Sequence, residues 1–292
     1  MTSPRHDRQP TPPRDHTELR RRIVEAVAAD DRLVGLVDYG SSSENREDRW
    51  SDVDCSLFIR PEDYPAFVAD WQAWIAQFGP LLLSFVGDIG NYWSVIEGGP
   101  FPIRVDFNFY PADDEHIAAM ETWPNAPASV ASMVLVDKDR RLAPVVARMV
   151  DRDLGPLDMP ERVDLVMANF WYYAVRTWCK LQRSPSWGVR FDISFIMHGN
   201  LMALLRLEAG KTDRWRAADA AAGIERDMSE ERLAQLNECI PDPDPASLAV
   251  ALARIIRLGA EASAGSAARY DRPSWPRDLA ERMMSLTAGV LK

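Results

Sequence analysis

Asp52 and Asp54 stand two residues apart at the entrance of an apolar run, VDCSLFIR. The run alternates as a strand does, with Val53, Cys55, Leu57 and Ile59 on one face and Asp54, Ser56, Phe58 and Arg60 on the other. Side chains at i and i+2 share a strand face, so the two carboxylates converge. Carboxylates that close repel, and one protonates unless a cation lies between them. Magnesium is the expected occupant: a hard cation with oxygen ligands, often shared with substrate phosphates. Asp106 adds a third carboxylate in PIRVDFNFY, on a polar face opposite Ile103, Val105, Phe107 and Phe109. If strands 53–60 and 102–110 are neighbours, the three ring one site suited to two metal ions. One ion would lower the pKa of an attacking hydroxyl, and the other would hold a triphosphate and its leaving pyrophosphate. Upstream, Gly40 allows close backbone approach, and Ser41 offers a hydroxyl and an N–H to that pyrophosphate.

These residues need elements to carry them. A helix is predicted from Thr17 to about Ala29, with Leu19, Ile23, Ala26 and Val27 on one face. RLVGLVDYG reads as a short buried strand that delivers Gly40. After VDCSLFIR, Pro61 stops the strand, and one helix is expected over 61–79, ending at Gly79. LLLSFVG and YWSVIE are further strands, Gly98-Gly99 is a turn, and Ser132 to Asp137 is a last short strand. Beyond about residue 150 the spacing becomes helical: 160–182, 191–210, 229–240, 245–262 and 275–291. The expected fold is α+β: an N-terminal mixed sheet flanked by helices, then a C-terminal all-helical bundle. The expected divisions are a disordered, proline-rich tail over 1–16, a first domain over 17–155 and a helical domain over 156–292. Two prolines and a glycine interrupt the pattern at the boundary, from Leu154 to Glu161.

The chain's 292 residues suit two domains, and 47% apolar with 27% charged residues suits a globular protein. A formal charge of −10 argues against nonspecific nucleic-acid binding, which depends on lysine and arginine at phosphates. The three cysteines are scattered, so neither a disulfide framework nor a structural zinc site is supported. No apolar signal region and no membrane-length apolar run is present, and the expectation is a reduced, cytoplasmic protein. Oligomeric state leaves no mark in the sequence.

Gly40-Ser41, Asp52 and Asp54, and Asp106 on a later strand resemble the signature of the nucleotidyltransferase superfamily with a polymerase-beta-like palm. With the helical half, the chain is similar to the lincosamide and aminoglycoside (streptomycin-type) antibiotic adenylyltransferases. The resemblance implies AMP transfer from ATP, or another nucleoside triphosphate, to a hydroxyl of a small molecule, an aminoglycoside or lincosamide antibiotic. It implies that Asp52 and Asp54 hold magnesium and that Gly40 and Ser41 grip the nucleotide phosphates. Asp106 is then a third ligand or the general base. Rival readings are adenylylation of a protein or another metabolite, and a non-catalytic nucleotide-binding protein on the same scaffold.

In the helical half, Arg176, Lys180 and Arg183 lie at i, i+4 and i+7 on one helix face. By the resemblance, Lys180 reaches the triphosphate and Arg190, a short loop later, assists. Asp192 is a candidate partner for Arg190 or for the acceptor. His198, on an apolar helix, reads as a core residue, and most of the aromatic run Phe170 to Tyr173 reads as core.

Overall fold

The computed structural model describes residues 10–87, 90–150, 152, 159–212 and 221–291. The chain divides into two compact units, Met1–Asp153 and Leu154–Lys292. Residues 1–9 of the expected tail and most of the expected boundary segment, 153–158, lie outside the described residues. Of the tail's described part, Pro13 is buried and its carbonyl accepts a hydrogen bond from Gly99 N at 3.2 Å.

The first unit opens with helix α1 (His16–Ala29), capped by the Asp15 carboxylate, which accepts from Glu18 N at 2.8 Å. A six-stranded sheet follows, in the order β3-β4-β5-β2-β1-β6. Its strands are β1 (Leu33–Asp38), β2 (Val53–Ile59), β3 (Leu81–Val86), β4 (Tyr92–Ile96), β5 (Ile103–Pro111) and β6 (Val134–Asp137). All neighbours run antiparallel except β2 and β5, which are parallel. That parallel pair is the contact on which the three-carboxylate expectation depended, and its register sets Asp54 opposite Asp106.

Alternation on β2 and β5 sorts the core. Cys55, Leu57, Phe107 and Phe109 face one layer, with Leu19, Ile23 and Val27 of α1 and with Phe67, Trp71, Trp74 and Ile75 of the next helices. On the other face Phe58 packs with Val34, Val37, Met120, Met133 and Val146. Both faces are therefore covered along the middle of the sheet, and the acidic residues of β2 and β5 fall in the first half of each strand.

Three details depart from the expectation. The single helix over 61–79 is two short ones, α2 (Tyr64–Ala69) and α3 (Trp71–Ala76). Asp70 between them leaves helical geometry (φ −115°, ψ 19°). Aspartate side chains compete for backbone groups and favour such breaks. After α4 (Asp114–Ala119), the strand expected from Ser132 begins at Val134. Ser129 and Ser132 form a reciprocal cap that makes Val130–Met133 a helical turn, α5. Helix α6 (Ala143–Ala147) closes this unit's series of helices.

The second unit is helical among its described residues: α7 (Met159–Arg183), α8 (Trp187–Phe191), α9 (His198–Ala209), α10 (Ile224–Asp227), α11 (Glu230–Glu238), α12 (Ser247–Arg269) and α13 (Arg277–Thr287). The third departure lies here. The helix expected over 191–210 contains a π-helical stretch, Asp192–Met197, between α8 and α9. Val163, Met167, Phe170 and Ala174 of α7 recur at helical spacing and pack on Leu252, Ile255 and Ile256 of α12. The helices approach closely because Gly259 lacks a side chain: a Cβ there would lie 2.0 Å from Phe170 Cζ. Among the described residues, no helix is long and apolar enough to cross a membrane.

Candidate active site

Strand β1 ends at Asp38 and releases the chain into a tight turn over 41–45, from which it returns to β2. The turn is held from several sides. Ser43, fully buried, donates from its hydroxyl to Gly40 O at 2.8 Å. Its own carbonyl accepts from Ala128 N at 2.9 Å and Ser132 Oγ at 2.7 Å. Asn125 Nδ2 donates to Tyr39 O at 2.7 Å, and the Tyr39 hydroxyl donates to Asp106 O at 3.2 Å. The Gly-Ser step is thus a rigid feature, fastened to β5 and to the 125–132 segment.

Gly40 is required for a reason its sequence neighbours do not reveal. A Cβ at this position would sit 1.9 Å from Asp54 Oδ2. The glycine lets Asp54 lie directly against the turn that the resemblance assigns to phosphate. Ser41 follows with its hydroxyl 3.4 Å from Ser51 Oγ, so the two ends of the loop meet at the site.

Asp52, Asp54 and Asp106 each offer a carboxylate oxygen, and these oxygens all lie within 4.8 Å of one another. Burial pushes Asp54 up to about 8, with the charges of Asp52, Asp106 and Asp38 adding to the shift. Asp106 is raised for the same reasons: burial first, then Asp52. Arg104, two residues before Asp106 on β5, forms an ion pair with Asp52 and opposes both shifts. One exposed guanidinium leaves the trio under strain. A divalent cation would lower these pKa values and relieve the repulsion. Three hard oxygen donors, two of them with raised proton affinity, fit such an ion.

Asp38 is a participant the sequence reading passed over. Its side chain is buried, accepts from Gly40 N at 3.0 Å and pairs with Arg20 Nε of α1 at 3.2 Å. Burial raises its pKa and Arg20 opposes the rise. Arg20 also reaches Glu47 at 3.6 Å, which ties α1 to the loop before Asp52. The available signal was an aspartate ending an otherwise apolar strand, two residues before the glycine.

The remaining candidate residues lie in the helical unit, where Lys180 and Arg190 take different partners. Lys180 Nζ is 2.8 Å from Asp192 Oδ2, and Arg176 lies 3.8 Å from the other oxygen. Asp192 is buried, so the expected Asp192–Arg190 pairing gives way to this two-cation arrangement. Arg190 instead donates to Pro243 O at 3.0 Å and Pro241 O at 3.5 Å. His198 Nδ1 donates to Ile193 O at 2.8 Å inside the π stretch, and burial lowers its pKa, as suits a core histidine. Phe170 and Trp171 are core, whereas Tyr172 is exposed and lines a cavity of about 790 Å³ with Trp171, Val175 and Trp275.

A mixed sheet that brings three carboxylates together beneath a Gly-Ser turn, followed by a helical region, defines a nucleotidyltransferase. The chain belongs to the streptomycin adenylyltransferase family, whose model matches residues 13–288. Among solved structures it is similar to an aminoglycoside 6-adenyltransferase from Bacillus subtilis (16% identity over 95% of this chain and 98% of that one, TM-score 0.43). It is also similar to a nucleotidyltransferase-like protein from Exiguobacterium sibiricum (11% identity over 93% of this chain and 87% of that one, TM-score 0.33). No curated protein matches the chain.

Proposed function

We propose that this nucleotidyltransferase moves AMP from ATP to a hydroxyl of an aminoglycoside antibiotic, with magnesium as the cofactor. The observation that carries the reading is the convergence of Asp52, Asp54 and Asp106 within 4.8 Å at the Gly40-Ser41 turn. The family's description supports the aminoglycoside over the lincosamide as acceptor. The sheet unit carries the chemistry, and the helical unit supplies Lys180 and Arg190 as nucleotide-binding residues.

In this reading the acceptor oxygen forms a bond to the α-phosphorus of ATP. The bond to the bridging oxygen breaks, and pyrophosphate leaves. Asp52 and Asp54 would hold magnesium, which would supply charge stabilisation to the phosphates and to the attacking oxygen. Ser41 presents its backbone N–H and hydroxyl to the departing phosphates, and Gly40, whose own N–H is held by Asp38, permits their close approach. Asp106 faces two roles. Its raised pKa suits the group that takes the acceptor's proton, and its reach to Asp52 and Asp54 suits a third ligand. Titrating magnesium into the protein with a non-hydrolysable ATP analogue separates them: one ion per site favours the base, and two favour the ligand.

The test of the function is mass spectrometry of streptomycin and other aminoglycosides after incubation with the protein, ATP and magnesium. The expected product is the antibiotic carrying one AMP, formed in step with pyrophosphate. Adduct on the protein itself, or none on any antibiotic, would contradict the proposal.

A further inference from the structure

The sheet unit displays, beside the site, an aromatic side chain that its core does not use. Trp50 is 61% exposed, two residues before Asp52. Its position is fixed nonetheless. Trp50 N donates to Asp48 Oδ1 at 2.8 Å, and Ser51 N donates to Asp48 O at 3.1 Å. The indole stacks on Phe101, with ring centroids 4.8 Å apart and planes inclined by 23°. Phe101 lies three residues before Arg104, the partner of Asp52. Both halves of the stack therefore ride on the segments that deliver the reacting carboxylates. The guanidinium of Arg49, an exposed residue, lies over the indole with its central carbon 4.3 Å from the ring centroid.

An exposed, locked indole backed by a second ring is a poor use of apolar surface unless something stacks on it. Its electron-rich face attracts a planar or compact cation, and the Arg49 guanidinium already demonstrates that such a group fits. Arg49 has an exposed, flexible side chain and can swing aside. Asp48, whose carboxylate accepts from Trp50 N, adds negative charge of the sign a cation requires. A neutral purine would gain from the same face only by stacking, without the charge attraction.

Building on the proposed aminoglycoside acceptor, we infer that Trp50 is an acceptor-binding residue whose indole face takes a guanidinium or ammonium group of the antibiotic in place of Arg49. Arg49 is then an internal competitor that holds the platform when no acceptor is present.

Steady-state kinetics with streptomycin, which carries guanidinium groups, and magnesium-ATP test this on the full chain. Trp50→Leu should raise KM for streptomycin about tenfold and leave KM for ATP within about twofold. Trp50→Phe, which keeps a weaker π face, should fall between. Arg49→Ala should lower KM for streptomycin below that of the parent protein. Melting temperatures of all three should match the parent, because the side chains are exposed. A rise in KM for ATP instead, an unchanged KM for streptomycin in Trp50→Leu, or a raised one in Arg49→Ala would each overturn the inference. If the parent protein modifies no cationic antibiotic, the proposed function falls and takes this inference with it. If it does and these variants fail, only the inference falls.

Discussion

Two clusters of charge, one in each unit, are built in opposite ways. In the sheet unit three carboxylates crowd within 4.8 Å beside one exposed guanidinium, and the pKa values of Asp54 and Asp106 rise. In the helical unit a single buried carboxylate, Asp192, has two cations, Lys180 at 2.8 Å and Arg176 at 3.8 Å. The first arrangement carries repulsion that a bound cation would relieve, and this supports its place as the proposed site. The second is neutralised within the fold, and its cations reach a phosphate only by loosening their hold on Asp192. Excess like charge points to a site, whereas a balanced cluster is accounted for by the fold alone.

The largest effects should come from the unbalanced cluster. Asp106→Asn is expected to lower kcat by at least about a thousandfold, in either of its two roles, while the melting temperature stays level or rises because repulsion is relieved. Wild-type turnover in that variant would remove Asp106 from the site. Gly40→Ala should cost about a hundredfold in kcat/KM, since its Cβ must displace the Asp54 carboxylate that lies 1.9 Å away. Magnesium affinity, read by calorimetry, should fall with it.

The same strain has a pH signature. Asp54 is held up at about 8, so the stability it contributes is fully present below the ordinary carboxylate pKa and is lost as pH rises through about 8. Asp106 acts in the same direction. Metal-free protein should therefore melt at a lower temperature at pH 9 than at pH 6. Magnesium, by favouring the charged carboxylates, should remove most of that difference. A melting temperature that climbs with pH in the metal-free protein would contradict the assigned crowding.

The balanced cluster predicts smaller, separable effects. Lys180→Met leaves buried Asp192 with only Arg176 and should cost about 3 kcal/mol of stability by denaturant titration. Adding Asp192→Asn should restore most of it. If Lys180 also serves the nucleotide, KM for ATP stays high in the double variant after stability has returned. If KM returns as well, the cluster is structural alone. Asp38→Asn should be milder, about 2 kcal/mol, because the amide oxygen still accepts from Gly40 N while the ion pair with Arg20 is lost.

The sequence made the chemistry more legible than the contacts that support it. Asp52 stood out at the entrance of an alternating strand, and Asp54 and Asp106 on the polar faces of two such strands, because strand periodicity assigns faces without a structure. The β2–β5 pairing was an expectation that the parallel register meets. The role of Gly40 was partly hidden: its freedom was visible, but the crowding is with Asp54, which arrives on another strand. Asp38 with Arg20 and Trp50 with Phe101 were illegible for the same reason, since each pair joins segments distant in sequence. The break at Asp70 and the π stretch over Asp192–Met197 escaped because apolar spacing survives a local change of backbone geometry.

The central claim is that the crowded carboxylates hold the cation on which AMP transfer depends. Asp54→Asn tests it most directly, followed by pyrophosphate release from ATP with streptomycin across a magnesium titration, alongside a thermal melt. The account predicts a folded protein, melting no lower than the parent, whose pyrophosphate release is lost at all magnesium concentrations. A folded Asp54→Asn protein that releases pyrophosphate at the parent rate, with the same magnesium dependence, would contradict it.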